Sequence, residues 1–81
     1  MVIGKRFRLT EETIGIETFD RKRLATQVPA GSVVTVESSP RANDLRMVDV
    51  RWNGRKLEML ADDIEKFGVQ VADASFPATE I

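Results

Sequence analysis

The fold is decided by the stretch Arg46-Met47-Val48-Asp49-Val50-Arg51-Trp52-Asn53-Gly54-Arg55-Lys56-Leu57-Glu58-Met59-Leu60. Two runs of alternating apolar and polar residues flank an Asn-Gly pair, which is the strongest short-range signal for a β-hairpin. Asn53 and Gly54 tolerate the positive φ angles that a type I′ turn requires at both central positions. The sequence therefore predicts two antiparallel strands joined by a two-residue turn.

The register of this hairpin divides its residues between two faces. With a two-residue turn, Trp52 lies opposite Arg55, and the same face carries two further cross-strand pairs, Val50 with Leu57 and Val48 with Met59. This face is the core side, with Arg55 at its rim beside Trp52, where it can make a cation–π contact. An aromatic residue at a barrel rim can stack on a base, a sugar or a peptide proline, but the alternation of Trp52 with Val48 and Val50 favours a core or half-buried position.

The opposite face of the hairpin is predicted to be charged and solvated. Asp49 lies across from Glu58 and Arg51 across from Lys56, so like charges face each other at an unfavourable cross-strand position. The diagonal ion pairs Arg51–Glu58 and Asp49–Lys56 offset this repulsion. The same face also carries the apolar pair Met47 and Leu60, for which a bend in the strand or a subunit contact are the two explanations, and the bend is favoured.

Outside the hairpin, short β-prone segments alternate with turn residues. The β-branched and alternating segments predict strands at 5–10, 13–19, 23–28 and 32–37, with turns at 20–22 and 29–31, a polar loop at 38–44 and a possible further strand at 69–72. After Leu60 the period changes to that of a short helix at 62–67. Asp62 is its predicted N-cap, in a capping box with Glu65, and Gly68 its C-cap.

The layout of these segments resembles one known group of proteins. The segments follow in the order 28–34 (Val-Pro-Ala-Gly-Ser-Val-Val), then Val48-Asp49-Val50-Arg51-Trp52-Asn53-Gly54-Arg55, then a strand running into a short acidic helix. This order is similar to that of uncharacterised small bacterial SH3-like β-barrel proteins. The resemblance implies a mainly β fold, a small SH3-like barrel of five to six short antiparallel strands with one short helix near 62–67. The resemblance covers roughly residues 5–68. The length of the chain allows one domain, which we place at 1–74, and Pro77 and the small residues around it predict a flexible C-terminal tail at 75–81.

Composition is that of a small, water-exposed domain. The chain has 81 residues, a net charge of −1 and no cysteine, so disulfides and thiol chemistry are excluded. It has no apolar run long enough to span a membrane and no signal-peptide pattern at its start. We expect a cytoplasmic, bacterial-type protein without membrane contact. Residues 1–56 carry a net charge of +4 and residues 57–81 a net charge of −5. This asymmetry either steers a charged partner or reflects the ordinary distribution of charges on a solvated surface.

The inventory of catalytic side chains is small. Histidine, cysteine and tyrosine are absent, so the commonest general base and the imidazole and thiolate metal ligands are missing. Asp62, Asp63 and Glu65 could hold a hard cation, but the helix cap explains their spacing more economically. The type II dihydrofolate reductases are also SH3-like barrels, and none of the residue types in their Gln-Ile-Tyr pore run occurs in 57–60. We expect no catalytic activity, no cofactor and no metal.

The predicted function is binding, and two classes of partner fit the sequence. The favoured interpretation is an interaction module that binds a protein partner or forms a homo-oligomer through an open strand edge, with Met47 and Leu60 as a possible subunit contact. The groove between the loop 38–44 and the Asn53-Gly54 turn would carry the site. Its predicted residues are Trp52, Arg55, Arg41 and Arg51.

The alternative is a phosphate- or nucleic-acid-binding barrel. Guanidinium groups offer paired donors to phosphate oxygens. The basic residues form one group on the first strand and one at a hairpin tip, and the candidate patch consists of Lys5, Arg6, Arg8, Arg21 and Arg23. A pI near 5.4 and few exposed aromatic residues argue against a dedicated nucleic-acid binder. Charged edges that block unwanted strand pairing explain the same residues.

Overall fold

A computed structural model describes residues 3–38 and 46–71 of the chain. The elements, in chain order, are β1 (Arg6–Leu9), β2 (Thr13–Phe19), β3 (Lys22–Val28), β4 (Val33–Val36), β5 (Met47–Trp52), β6 (Arg55–Leu60), α1 (Ala61–Phe67) and β7 (Gly68–Val71). All seven strands join antiparallel neighbours in one open sheet with the order β3-β2-β6-β5-β4-β1-β7. The mainly β class is confirmed, and the described strands number seven rather than the predicted five or six.

The central hairpin has the predicted register. Its strands β5 and β6 pair from Met47 opposite Leu60 to Trp52 opposite Arg55. Asn53 and Gly54 have φ angles of 52° and 77°, which are the positive values that the two-residue turn requires. The local sequence was sufficient here because the turn residues alone select the register.

A second hairpin, β2–β3, has the same kind of turn with less favourable residues. Asp20 and Arg21 form the turn at φ angles of 53° and 65°. Lys22 therefore belongs to β3, opposite Phe19, and the predicted turn at 20–22 was one residue too long. The Asp20-Arg21 turn adopts this geometry although it contains no glycine, because two positive φ angles match the right-handed twist of the strands.

One face of the sheet forms the core. Nine apolar side chains are at most 1% exposed, and they are Leu9, Val28, Val34, Val36, Val48, Val50, Leu57, Met59 and Ile64. Eight of them come from strands and Ile64 comes from the helix. Trp52 and Phe7 are half-buried and pack against this cluster. The prediction that Trp52 is a half-buried residue beside the core is confirmed.

The helix starts one residue earlier than predicted, and its predicted cap is absent. Leu60 occupies the N-cap position and α1 begins at Ala61, so the capping box of Asp62 with Glu65 was wrong. The chain passes directly from β6 into α1, and the Ala61 N–H donates to the Arg46 carbonyl at 2.6 Å. Asp62 and Asp63 instead lie in the first turn, where the helix dipole favours negative charge.

Gly68 follows the helix as predicted, but in an extended conformation. Its φ and ψ angles are −94° and 136°, and it is already the first residue of β7. This strand pairs with β1, from Leu9 opposite Gly68 to Arg6 opposite Val71. The possible strand at 69–72 is therefore present at Gly68–Val71. The predicted domain boundary at 74 and the tail at 75–81 lie outside the described residues.

The only helix in the described part of the chain is α1, and it is too short to cross a bilayer.

Candidate functional site

The rim of the core face carries a three-residue cluster at the end of the central hairpin. The Arg55 guanidinium lies 5.3 Å from the centre of the Trp52 ring. Glu17 of β2 accepts two hydrogen bonds from it, from Nε at 3.0 Å and from Nη2 at 2.5 Å. These bonds lower the pKa of Glu17 below its ordinary value and raise the pKa of Arg55. Arg55 thus covers one face of the Trp52 ring.

Arg51 lies on the opposite side of the sheet from this cluster, because neighbouring residues of a strand point to opposite faces. Its Nε donates to Glu37 Oε2 at 2.8 Å, and its Nη1 donates to the Gly54 carbonyl at 3.3 Å. The hydrogen bond with Glu37 raises the pKa of Arg51. The side chain of Arg51 therefore lies on the face of the sheet opposite those of Trp52 and Arg55, and the fourth predicted residue, Arg41, lies outside the described part of the chain.

The outer face of the hairpin is charged, with one of the two predicted diagonal pairs. Lys56 Nζ lies 3.9 Å from Asp49 Oδ2, as predicted. The predicted Arg51–Glu58 pair was wrong, because the Arg23 guanidinium of β3 binds Glu58 at 2.6 Å instead. Strand β3 supplies this cation from a distant part of the sequence, so the hairpin alone could not identify it.

The two groups of basic residues are far apart in the sheet. Arg6 and Arg8 are on β1, whereas Arg23 is on β3 and Arg21 is in the turn before it. Four strands separate β1 from β3 in the sheet order. Adjacent strands are spaced by about 4.8 Å, so β1 and β3 are roughly 24 Å apart along the sheet. The residues of the predicted patch, which also include the exposed Lys5, therefore lie on or next to two strands that are not neighbours in the sheet.

Met47 and Leu60 form the apolar pair on the outer face. Leu60 is 40% exposed and Met47 is half-buried. The pair lies where β6 runs into α1 and where the Ala61 N–H binds the Arg46 carbonyl. This position is the end of a strand that changes direction, which favours the bend over a subunit contact.

A basin opens between the segment 29–33 and the Asn53-Gly54 turn. It has a volume of about 760 Å³, and Arg6, Thr35, Arg51 and Trp52 are among the residues that line it. Sequence analysis assigned Arg6 to one candidate site and Arg51 and Trp52 to another. The basin was missed because it depends on the pairing of β1 with β4 and of β4 with β5, which no local pattern specifies.

Strand β3 is an outer strand of the sheet and carries exposed apolar side chains. Among the described residues no strand pairs with its outer edge. Leu24 is 48% exposed, and Phe19, across the hairpin on the same face, is 68% exposed. In a two-residue hairpin, Phe19 and Lys22 exchange both backbone hydrogen bonds, so the alternation directs the backbone groups of Arg23, Ala25 and Gln27 outward.

Within residues 3–38 and 46–71, no group of three or more acidic side chains could hold a metal ion. Comparison of the chain with models of protein families, with curated proteins and with solved structures gives no match.

Proposed function

We propose that this protein is a small SH3-like barrel that works as an interaction module and self-associates through the outer edge of β3. The core supports the barrel. Eight buried strand residues lie on one face of a single sheet, and α1, with only seven residues, is too short to cover that face. A sheet that curls over itself buries both of its halves at once.

The open edge of β3 is the observation that carries self-association. Natural edge strands are usually blocked by charged residues, proline, bulges or a covering segment. The charged residues of β3 are Lys22 and Arg23 at its start, and the five residues 24–28 contain neither charge nor proline. Within residues 3–38 and 46–71 no strand pairs with its outward backbone groups, which leaves them open to another strand.

A second copy of the chain fits this edge in one symmetric register. When two β3 strands pair antiparallel around Ala25, Ala25 lies opposite the partner's Ala25, and Arg23 lies opposite the partner's Gln27. These are the residues whose backbone groups point outward, so every cross-copy pair among them exchanges hydrogen bonds. No like charges face each other in this register, which favours a second copy over an unrelated strand.

The apolar residues of the hairpin add burial to this pairing. In the symmetric register Leu24 lies opposite the partner's Thr26 and diagonal to the partner's Leu24, on the face that carries the core. One strand edge buries less than the roughly 800 Å² per partner of a standard interface. We therefore expect a concentration-dependent dimer with a dissociation constant on the order of micromolar or weaker.

A charge-exchange experiment tests the register. Ala25→Glu and Ala25→Lys each place like charges opposite each other in the homodimer, and sedimentation velocity should detect mainly monomer for each variant alone. A mixture of the two variants should dimerise, because Glu and Lys then face each other across the two-fold axis. This recovery distinguishes a disrupted interface from a variant that fails to fold.

Thr18→Glu is the matched control, since Thr18 is exposed on the same hairpin and the same face but not on its edge. We expect this variant to dimerise like the unmodified protein. A protein that stays monomeric at millimolar concentration would refute self-association, and a dimer that both Ala25 variants leave intact would refute this edge as its site.

A further inference from the structure

The basin between the segment 29–33 and the Asn53-Gly54 turn contains Arg6, a cation with no ion-pair partner in the described part of the chain. Among the described residues, Arg6 makes no ion pair or hydrogen bond through its guanidinium. It is half-buried, whereas Arg23, Arg51 and Arg55 each bind a carboxylate. A partly desolvated guanidinium with five unused donors is a strong site for an external anion.

The strand register places a second cation and a hydroxyl beside Arg6. Thr35 of β4 lies opposite Arg6 of β1, and Arg51 of β5 lies opposite Thr35 on its other side. Residues directly opposite share a face, so the three side chains form one row across three strands. At a strand spacing of about 4.8 Å, the two arginine backbones are roughly 10 Å apart, with the threonine hydroxyl between them.

Two hydrogen bonds hold the Arg51 side chain in place within this row. Its Nε and Nη1 are occupied by Glu37 and by the Gly54 carbonyl, and its side chain is still 49% exposed. The remaining guanidinium donors are free to bind a ligand. Since the two contacts fix the guanidinium before a ligand arrives, less side-chain entropy is lost on binding.

The surrounding basin is an open depression that is large enough for a small molecule. Its volume of about 760 Å³ lies within the range of roughly 300–1,000 Å³ typical of ligand pockets. Ser32 on one wall and Asn53 on the other contribute further polar groups. Glu37 neutralises Arg51, and the uncompensated charge of Arg6 leaves the row with a net positive charge.

We propose that this basin binds the phosphate group of a small phosphomonoester, with Arg6 as the main anchor. The Arg6 guanidinium donates paired hydrogen bonds to the phosphate oxygens, Thr35 donates its hydroxyl, and Arg51 contributes its free donors from the far side. The site lies on β1, β4 and β5 and does not include β3. The phosphate site is therefore independent of self-association, so an experiment that refutes one of the two proposals does not affect the other.

Isothermal titration calorimetry measures this binding directly. It does not rely on Trp52, whose side chain lies on the face of the sheet opposite the row of Arg6, Thr35 and Arg51. The experiment titrates the protein with glycerol 3-phosphate and with inorganic phosphate at constant ionic strength, with chloride as the anion control. We expect a saturable heat of binding with both phosphates and none with chloride.

Two arginine variants on one strand locate the site. Arg6→Gln should weaken phosphate binding by about tenfold or more, the loss expected for one charge-assisted hydrogen-bond pair. Arg8→Gln is the matched control, because Arg8 is exposed on the same face of β1 but does not line the basin. It should change the affinity by less than about twofold, whereas Thr35→Val should give a smaller loss than Arg6→Gln.

A single-stranded oligonucleotide distinguishes a phosphomonoester from a nucleic-acid backbone as the source of the phosphate. Monoester binding that Arg6→Gln weakens and Arg8→Gln preserves supports the proposal. Absence of a saturable signal with the monoester at about 50 mM overturns it, since that corresponds to a negligible affinity. Binding of the oligonucleotide alone, with equal losses in both variants, also overturns it and indicates a diffuse cationic surface.

Discussion

Arg55 covers the ring of Trp52 at 5.3 Å and is held there by two hydrogen bonds to Glu17. Trp52 ends β5, Arg55 begins β6 and Glu17 belongs to β2, so one guanidinium connects three strands at the end of the central hairpin. The guanidinium thereby covers one face of the ring. We expect the cluster to make a modest contribution to stability that depends on pH through its carboxylate.

Acid should break this cluster through Glu17. Its pKa lies below the ordinary value of 4.5, chiefly because of the hydrogen bond from Arg55. A lowered carboxyl pKa in the folded state gives stability that is fully present above the ordinary value and is lost as the pH falls through the folded value. We expect the urea midpoint of the unmodified protein to fall below pH 4.5 by more than that of Glu17→Gln.

The control for this measurement is Glu12→Gln, which removes an exposed carboxylate of the same type from the loop before β2. This variant should follow the unmodified protein through the acid range. Identical acid profiles for Glu17→Gln and the unmodified protein would contradict the role of the cluster.

Gly68 should not tolerate a side chain. A Cβ there would overlap the Ile64 carbonyl oxygen, a backbone atom that cannot move without disturbing α1, and would lie 3.1 Å from the Phe7 Cβ. We expect Gly68→Ala to lower the free energy of unfolding by about 1–3 kcal/mol, measured by urea denaturation. Gln70→Ala, at an exposed position of the same strand, should change it by less than about 0.5 kcal/mol.

The β2–β3 turn should gain stability from glycine. Arg21 has a φ angle of 65°, a left-handed conformation that is unfavourable for an L-residue with a long side chain. Arg21→Gly creates the Asp-Gly pair preferred in this turn and should raise the free energy of unfolding by about 0.5–1 kcal/mol. Gly54→Ala, at the same place in the β5–β6 turn, should lower it by about 1 kcal/mol. A destabilising Arg21→Gly would mean that the Arg21 side chain has an energetic role of its own.

Thr13 carries a buried hydroxyl that costs stability. The residue is 5% exposed, and its Oγ1 has no hydrogen-bond partner among residues 3–38 and 46–71. Thr13→Val keeps the branched shape and removes the unsatisfied polar group, so we expect the free energy of unfolding to rise by about 1 kcal/mol. The control is Thr18→Val on the exposed part of the same strand. A loss of stability in Thr13→Val alone would contradict this expectation and indicate that water satisfies the hydroxyl.

The elements specified by neighbouring residues could be predicted from the sequence. Asn53-Gly54 sets both the turn and the register of β5–β6, so the core side of Val48, Leu57 and Met59 followed from it. The Asp49–Lys56 pair could be predicted for the same reason, since it lies within the hairpin.

Features that depend on distant pairing could not be predicted. Glu58 binds Arg23 because β2–β3 lies alongside β6, and Arg51 binds Glu37 because β4 lies alongside β5. The row of Arg6, Thr35 and Arg51 likewise requires two strand registers that no turn residue specifies. The start of α1 was misplaced because Asp62 fits a capping pattern, whereas the direct run from β6 determines where the helix begins.

The position of β1 between β4 and β7 has a consequence for folding. This early strand obtains its second neighbour from the last described strand, with Leu9 opposite Gly68. Pairing β1 with β7 closes a long loop of the chain. This step is slow because the chain loses conformational entropy before the contacts between the two strands form. During translation, one side of β1 therefore stays unpaired until residues 68–71 have been synthesised, and the nascent chain exposes a strand edge that the finished protein covers.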